Sequence, residues 1–240
     1  MISKTALLLS TLILALAVSL PSHAQNAQDN KRTLTVNGKG EMSAAPDVAY
    51  LNLAVETIAK SAQQAVKENA EKTNSVIEAI KAKLGENDKV STAGYNLSPI
   101  YEYNNQTNNS EFKGYKASNQ IVVEVHNLKQ IGAIIDATAE AGLNNIQGLR
   151  FETTKSAELR KKALAEAVKD AKATADVLAQ AAGVKITRIL QLSPSYDYPV
   201  PVYRDYAMSA KEGAAPPPPT PIEPGELTIN ATVNIVFEIE

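Results

Sequence analysis

Apolar positions along this chain change period several times, and each change marks an element. Residues 33–37 alternate as a short strand, after which Gly38-Lys39-Gly40 reads as a tight turn. Ala49, Leu51, Leu53 and Val55 then alternate with Tyr50, Asn52, Ala54 and Glu56, the pattern of a strand with one buried face. From Ser61 the step becomes three and four: Ala62, Ala65, Val66, Ala70, Thr73, Val76, Ile77, Ile80 and Leu84 form one helical face, which Gly85 ends. A long extended stretch carries Tyr95, Leu97, Tyr101 and Tyr103 at alternate positions. Residues 104–110 are mostly Asn, Gln, Thr and Ser and predict a hairpin loop, with Tyr115, Ala117, Ile121, Val123 and Val125 on the returning strand.

Residues 128–141 predict a second helix, buried through Ile131, Ile134, Ile135 and Thr138 and capped by Gly142, and residues 146–153 a further strand. The longest helix spans 155–182. Its stripe of Ala163, Leu164, Ala167, Val168, Ala171, Ala175, Leu178, Ala179 and Ala182 is rich in alanine, which lets it lie close against a sheet, and Gly183 stops it. Residues 184–192 predict a strand, and 193–225 a loop rich in proline and tyrosine with a polyproline run at 216–219. Leu227, Ile229, Ala231, Val233, Ile235, Phe237 and Ile239 then form the cleanest strand of the chain, which belongs inside a sheet rather than in a tail. The order β β α β β α β α β, loop, β predicts an α+β fold. It has largely antiparallel sheets, three helices packed on them, and a C-terminal strand that completes a sheet.

The start of the chain reads differently. Lys4 precedes an apolar run over residues 5–20, then Pro21 and the small residues Ser22 and Ala24, the three parts of a secretory signal. The run is short for a bilayer span, which takes about 20 apolar residues, and an uncleaved anchor is the alternative. The domain reading is therefore a signal over 1–24, a polar leader over 25–32, and one domain over 33–240 that includes the 193–225 loop. The expected location is the periplasm.

Composition narrows the chemistry. With 24 basic and 26 acidic side chains the chain is near neutral, and losing Lys4 makes it slightly more acidic. It has no electrostatic footprint for nucleic acid or anionic lipid. There is no cysteine, so thiol nucleophiles, iron–sulfur ligation and cysteine zinc sites are excluded. Of the two histidines, His23 leaves with the signal. His126 alone cannot build a multi-histidine metal site. Once the signal is lost, the remaining sulfur is that of Met42 and Met208.

Several segments together resemble the SIMPL-domain family, which includes periplasmic immunogenic and oxidative-stress-defence proteins of Gram-negative bacteria. They are Val36-Asn37-Gly38-Lys39-Gly40 with Pro46-Asp47; Tyr101-Glu102-Tyr103; and Gly114-Tyr115-Lys116-Ala117-Ser118-Asn119. Phe151, Arg160, Ala163, Ala167, Asp170, Ala171 and Ala175 resemble the family's long helix and its approach. Pro221-Ile222-Glu223-Pro224-Gly225-Glu226 before an alternating strand is similar to its C-terminal signature. The resemblance covers the chain from about residue 33 to its end and rests on order and spacing. It implies a periplasmic protein linked to stress defence, with no catalytic residues to carry over.

Ordinary structural roles account for most of the candidate sites. Gly38-x-Gly40 lacks the third glycine and following helix of a dinucleotide site, so a turn is the better reading. His126 ends an apolar strand and suits a surface or loop-capping role. Glu56, Glu68 and Glu71 lie among Lys67 and Lys72, as on a solvated helix face. Arg160-Lys161-Lys162 is offset by Glu158 and Glu166. The tyrosines stand apart. Tyr101, Tyr103 and Tyr115 on the hairpin, and Tyr196, Tyr198, Tyr203 and Tyr206 in the loop, are the candidate interaction residues, since tyrosine offers large contact area at small entropic cost. Core packing is the equal alternative for them.

The function expected is non-enzymatic binding or assembly, with no cofactor and no metal. Partners would be further copies of the chain or other periplasmic proteins, with no nucleic acid and no membrane span after cleavage. A carboxylate-dependent hydrolase assembled from distant residues is the alternative. N-terminal sequencing of exported protein should read Gln25 first, and an intact Met1 would contradict the signal reading.

Overall fold

The computed structural model describes residues 31–106, 108–196, 200–202 and 220–240. Its elements are β1 (Thr33–Ala44), β2 (Val48–Ala59), α1 (Ala62–Lys81), β3 (Lys89–Asn104), β4 (Asn109–Val125), a 3₁₀ turn (Leu128–Gln130), α2 (Ile131–Glu140), β5 (Asn145–Glu152), α3 (Ser156–Ala182), β6 (Ile186–Tyr196), β7 (Val200–Val202) and β8 (Glu226–Ile239). They form two antiparallel sheets. One runs β1-β8-β6 with β7 also against β8, and the other runs β3-β4-β2-β5. The α+β class, the three helices and the terminal strand at the heart of a sheet all match the sequence reading.

One reading is corrected. Gly38-Lys39-Gly40 is no turn; it lies mid-strand in β1, in unbroken register opposite Val233, Thr232 and Ala231. The physical reason is α3. Its buried stripe of Ala163, Ala167, Ala171, Ala175 and Ala179 lies so close to β1 that the helix backbone meets the strand backbone. A Cβ on Gly38 would land on the Ala167 carbonyl oxygen and come within 2.6 Å of Ala171 N. One on Gly40 would land on the Ala163 carbonyl and come within 2.6 Å of Ala167 N. The glycines are there for space. Asp170, on the same helix, accepts the Lys39 N–H at 2.9 Å and so covers a donor on the open edge of β1. Smaller corrections follow the same logic of local hydrogen bonds. α1 stops at Lys81, before Gly85, and strand structure runs into the predicted loop as the end of β6 and as β7.

Topology divides the molecule into two halves. β2, α1, β3, β4, α2 and β5 make a β-α-β-β-α-β unit of ferredoxin-like order, with α1 and α2 over one face. Its core is Leu51, Leu53, Val55, Val76, Ile80, Ile121, Val123, Ile131 and Ile134 with their neighbours. Asn69, fully buried, ties α1 to that sheet by donating to the carbonyls of Val55 (2.8 Å) and Ala117 (3.3 Å). The other half joins β1 to α3, β6, β7 and β8. Its separate core is Val36, Ala167, Ala171, Ala175, Val233, Ile235 and Phe237. The β-α-β-β-α-β unit is thus inserted between β1 and α3, and the main packing contacts of each element stay within its own half.

The chain leaves the enclosing half at residues 45–47 and returns at 153–155, and Asp47 knots the two crossings. Its N–H donates to the Glu152 carbonyl at 3.0 Å. Its carboxylate accepts the Thr154 N–H at 2.7 Å, the Thr154 hydroxyl at 2.8 Å and the Thr153 hydroxyl at 3.4 Å. Burial pushes this carboxyl up, but the hydrogen bonds from Thr154 and Thr153, with Lys155 nearby, outweigh it and hold the group below the usual carboxylate range.

Two predictions follow from this packing. Gly40→Ala should destabilise the protein by about 3 kcal/mol or more, because a backbone clash cannot relax as a side chain would. Gly148→Ala, where an added Cβ meets nothing within 4 Å, should stay within about 0.5 kcal/mol of the parent. Urea denaturation measures both. Because the folded-state pKa of Asp47 is lowered, its stabilisation is complete above about pH 4 and is lost as pH falls through the folded value. Asp47→Ala should therefore cost about 1–2 kcal/mol at pH 7, and the gap to the parent should close in acid.

Candidate functional site

The β3–β4 hairpin outgrows the sheet that supports it. β2 ends at Ala59, opposite Tyr115, so β3 and β4 continue from there to the Asn104–Asn109 pair without a third strand. Six residues of β4 beyond Tyr115 carry this ribbon about 20 Å past the sheet. A bare two-stranded ribbon is marginal in water and relies on its cross-strand pairs. Pro99 is tolerated in β3 because that strand lies at the sheet edge.

Alternation places Tyr95, Leu97, Tyr101 and Tyr103 on one face of β3, the face on which α1 covers the rest of the sheet. Phe112 joins them through an irregularity. Between Ile100 and Tyr101 the register shifts, so Gly114 and Phe112 oppose consecutive residues and Lys113 is the extra residue of a bulge. Gly114 has φ 147°, and a Cβ there would sit 2.5 Å from the Ala59 carbonyl, so only glycine fits this corner. The bulge turns Phe112 to the side of Tyr115. The rings stack edge to face: Tyr101–Phe112 at 5.8 Å and 65°, Phe112–Tyr115 at 5.2 Å and 69°. Tyr115, half-buried, packs on Ala59, Ala65 and Ala117 and anchors the row to the body of the inserted half.

Beyond that anchor the rings are open to solvent. Tyr101 is 61% exposed, Tyr103 58%, Tyr95 50% and Phe112 46%. A charged network lies on the opposite face of the ribbon, where Glu102 pairs across from Glu111. Lys113 Nζ meets Glu111 at 2.8 Å and Glu102 at 3.6 Å, and Asn104 Nδ2 donates to Glu111 at 2.6 Å. The hydrogen bond and charge of Lys113 lower the Glu111 pKa, and the same pair raises that of Lys113. The tip is shaped by Asn104, whose side chain accepts the Gln106 N–H at 2.9 Å, and by the Tyr103 hydroxyl on Asn108 at 3.3 Å.

The structure therefore gathers Tyr101, Tyr103 and Tyr115 as the sequence suggested. It adds Phe112, which strict alternation would have put on the other face. Tyr196 closes β6 opposite Ala231, in the other half. Tyr198, Tyr203 and Tyr206 lie outside the described residues.

The remaining chemical candidates stay apart. Glu56 pairs with Lys116 at 2.7 Å, Glu68 accepts from Gln64 at 2.9 Å, and Glu71 faces Lys67 at 4.0 Å. The His126 backbone N–H donates to Asp88 at 2.7 Å, a contact made by the main chain and not by the imidazole. Its ring lies 3.5 Å from Asp88 and 3.6 Å from Glu124. Among the described residues no group of three His, Asp or Glu side chains is placed to hold a metal ion, and no helix is long and apolar enough to cross a membrane.

Comparison with known proteins gives a consistent picture. The SIMPL family, described as a protein of unknown function (DUF541), matches residues 34–237. The chain is 35% identical to the 26 kDa periplasmic immunogenic protein of Brucella melitensis over 96% of this chain and 95% of that one. The Brucella abortus protein of the same name matches equally over the same span. Identity to the uncharacterized protein YggE of Escherichia coli K12 is 25%, over 95% of this chain and 93% of that one.

Proposed function

The chain belongs to the SIMPL family, and from that premise we propose that it is a periplasmic, non-enzymatic binding or assembly protein that docks through the aromatic face of its hairpin. The observation that carries this reading is the row Tyr101, Tyr103 and Phe112, held out on an unsupported ribbon with its rings in water. Leaving such side chains exposed forfeits burial worth about 1.5–3 kcal/mol each, and a contiguous exposed aromatic patch is the signature of a contact surface. The first partner is a further copy of this chain, since closed homo-oligomers are the usual soluble assembly. Periplasmic location rests on the names of the Brucella relatives together with the signal-like start. A link to oxidative stress, if it operates here, works through binding, because the mature chain has no thiol and one imidazole.

The hydrolase alternative gains no support from the carboxylates singled out in the sequence, which pair separately with lysine or amide groups. The test is native mass measured across concentration for the mature chain and for a Tyr101→Ser, Tyr103→Ser, Phe112→Ser variant. Tyr115 is spared because it packs on the core. The parent should assemble and the variant should remain a folded monomer. A parent that stays monomeric at high concentration, or a variant that assembles as well as the parent, overturns the proposal.

A further inference from the structure

The C-terminal motif Pro221-Ile222-Glu223-Pro224-Gly225-Glu226 has no part in the hairpin, yet the structure gives it a definite place. The chain reaches β8 of the enclosing half only after crossing α2 of the inserted half. There the Thr220 N–H and hydroxyl both donate to Asp136, at 3.1 and 2.6 Å. Thr220 lies directly on the α2 backbone at Gly132, where a Cβ would strike the Thr220 carbonyl oxygen and come within 3.3 Å of its carbon. Ile222 packs against the inserted half's core. Glu223, Pro224 and Gly225 then lead to Glu226, the first residue of β8. Three residues span at most about 11 Å, and Pro221 and Pro224 stiffen the path.

We infer that Thr220–Ile222 is a strap that sets the angle between the halves, with Gly132 and Asp136 of α2 as its latch. The halves have separate cores, and the two crossings that join them are knotted at Asp47 into a single hinge. A hinge with one short added tether is held at a fixed angle. With the tether released, the inserted half swings, carrying the aromatic hairpin with it. The strap is thus a built-in conformational switch between a closed and an open protomer.

The absence of cysteine makes the test direct. Nitroxides on Asn74→Cys in α1 and Lys172→Cys in α3, both exposed, report the angle as an electron–electron distance. Gly132→Ala is the releasing variant of choice. Alanine favours the helix, and the φ of Gly132 is not among the positive ones, so α2 itself should not suffer. Asp136→Ala removes both hydrogen bonds to Thr220 and serves as an independent second variant. In each variant, exchange of the Thr220 and Ile222 amides should quicken about tenfold, and the single narrow distance peak of the parent should broaden or split. Faster exchange with an unchanged distance peak would show that the strap does not set the angle. Unchanged exchange in both variants would show that Gly132 and Asp136 do not latch it. Either result overturns the inference.

Discussion

Everything in this fold follows from one contact, the meeting of two backbones where β1 lies under α3. Gly38 and Gly40 have no side chains to hold the helix off, and Ala163, Ala167 and Ala171 offer only methyl groups in return. This joins an N-terminal strand to a helix more than a hundred residues later. Once they are joined, all that lies between must leave and return at one place. Residues 48–152 fold there as a self-contained unit with its own core, and the two crossings run close enough for Asp47 to tie them. β8 completes the arrangement by pairing with β1 on one side and β6 on the other, so the first and last strands of the chain share a sheet.

The hairpin obeys a different economy. Where β2 and α1 stop, burial stops with them, and the ribbon beyond is held by cross-strand rings and by the Lys113–Glu111–Glu102 network. Exposed ion pairs contribute little, typically under about 1 kcal/mol. The ring pairs therefore carry more of the ribbon's stability than the charges do, although Tyr101, Tyr103 and Phe112 leave much of their surface in solvent. The contrast is spatial: the alanine and aliphatic cores hold the shape, and the projecting ribbon leaves its rings exposed.

Much of this was legible in the sequence, for identifiable reasons. Strict alternation over residues 227–239 revealed a buried central strand, and the alanine stripe of α3 revealed a close helix-to-sheet approach. What the pattern concealed was the partner of that stripe. Gly38-Lys39-Gly40 carries the composition of a turn, and only the three-dimensional position of α3 shows that the glycines answer the alanines. Phe112 was missed because periodicity assumes an unbroken register, and a one-residue bulge at Lys113 reverses the face of everything beyond it. Its local signal was Gly114, a glycine inside an otherwise strand-like run. The insertion was hidden for a broader reason: β1 and β2 follow each other in the chain and resemble a hairpin, but they belong to different sheets. The strap was present as a motif without a reason, since the groove that receives Thr220 and Ile222 is built from residues some ninety positions earlier.

Native-state hydrogen exchange, resolved by residue under increasing denaturant, tests the two-half architecture most directly. Amides of β1 should open together with those of α3 and β8, at a free energy different from the one shared by β2, α1, β4 and β5. If β1 instead opened with β2 as one N-terminal unit while β8 stayed protected, the glycine–alanine contact would not be what holds the fold together.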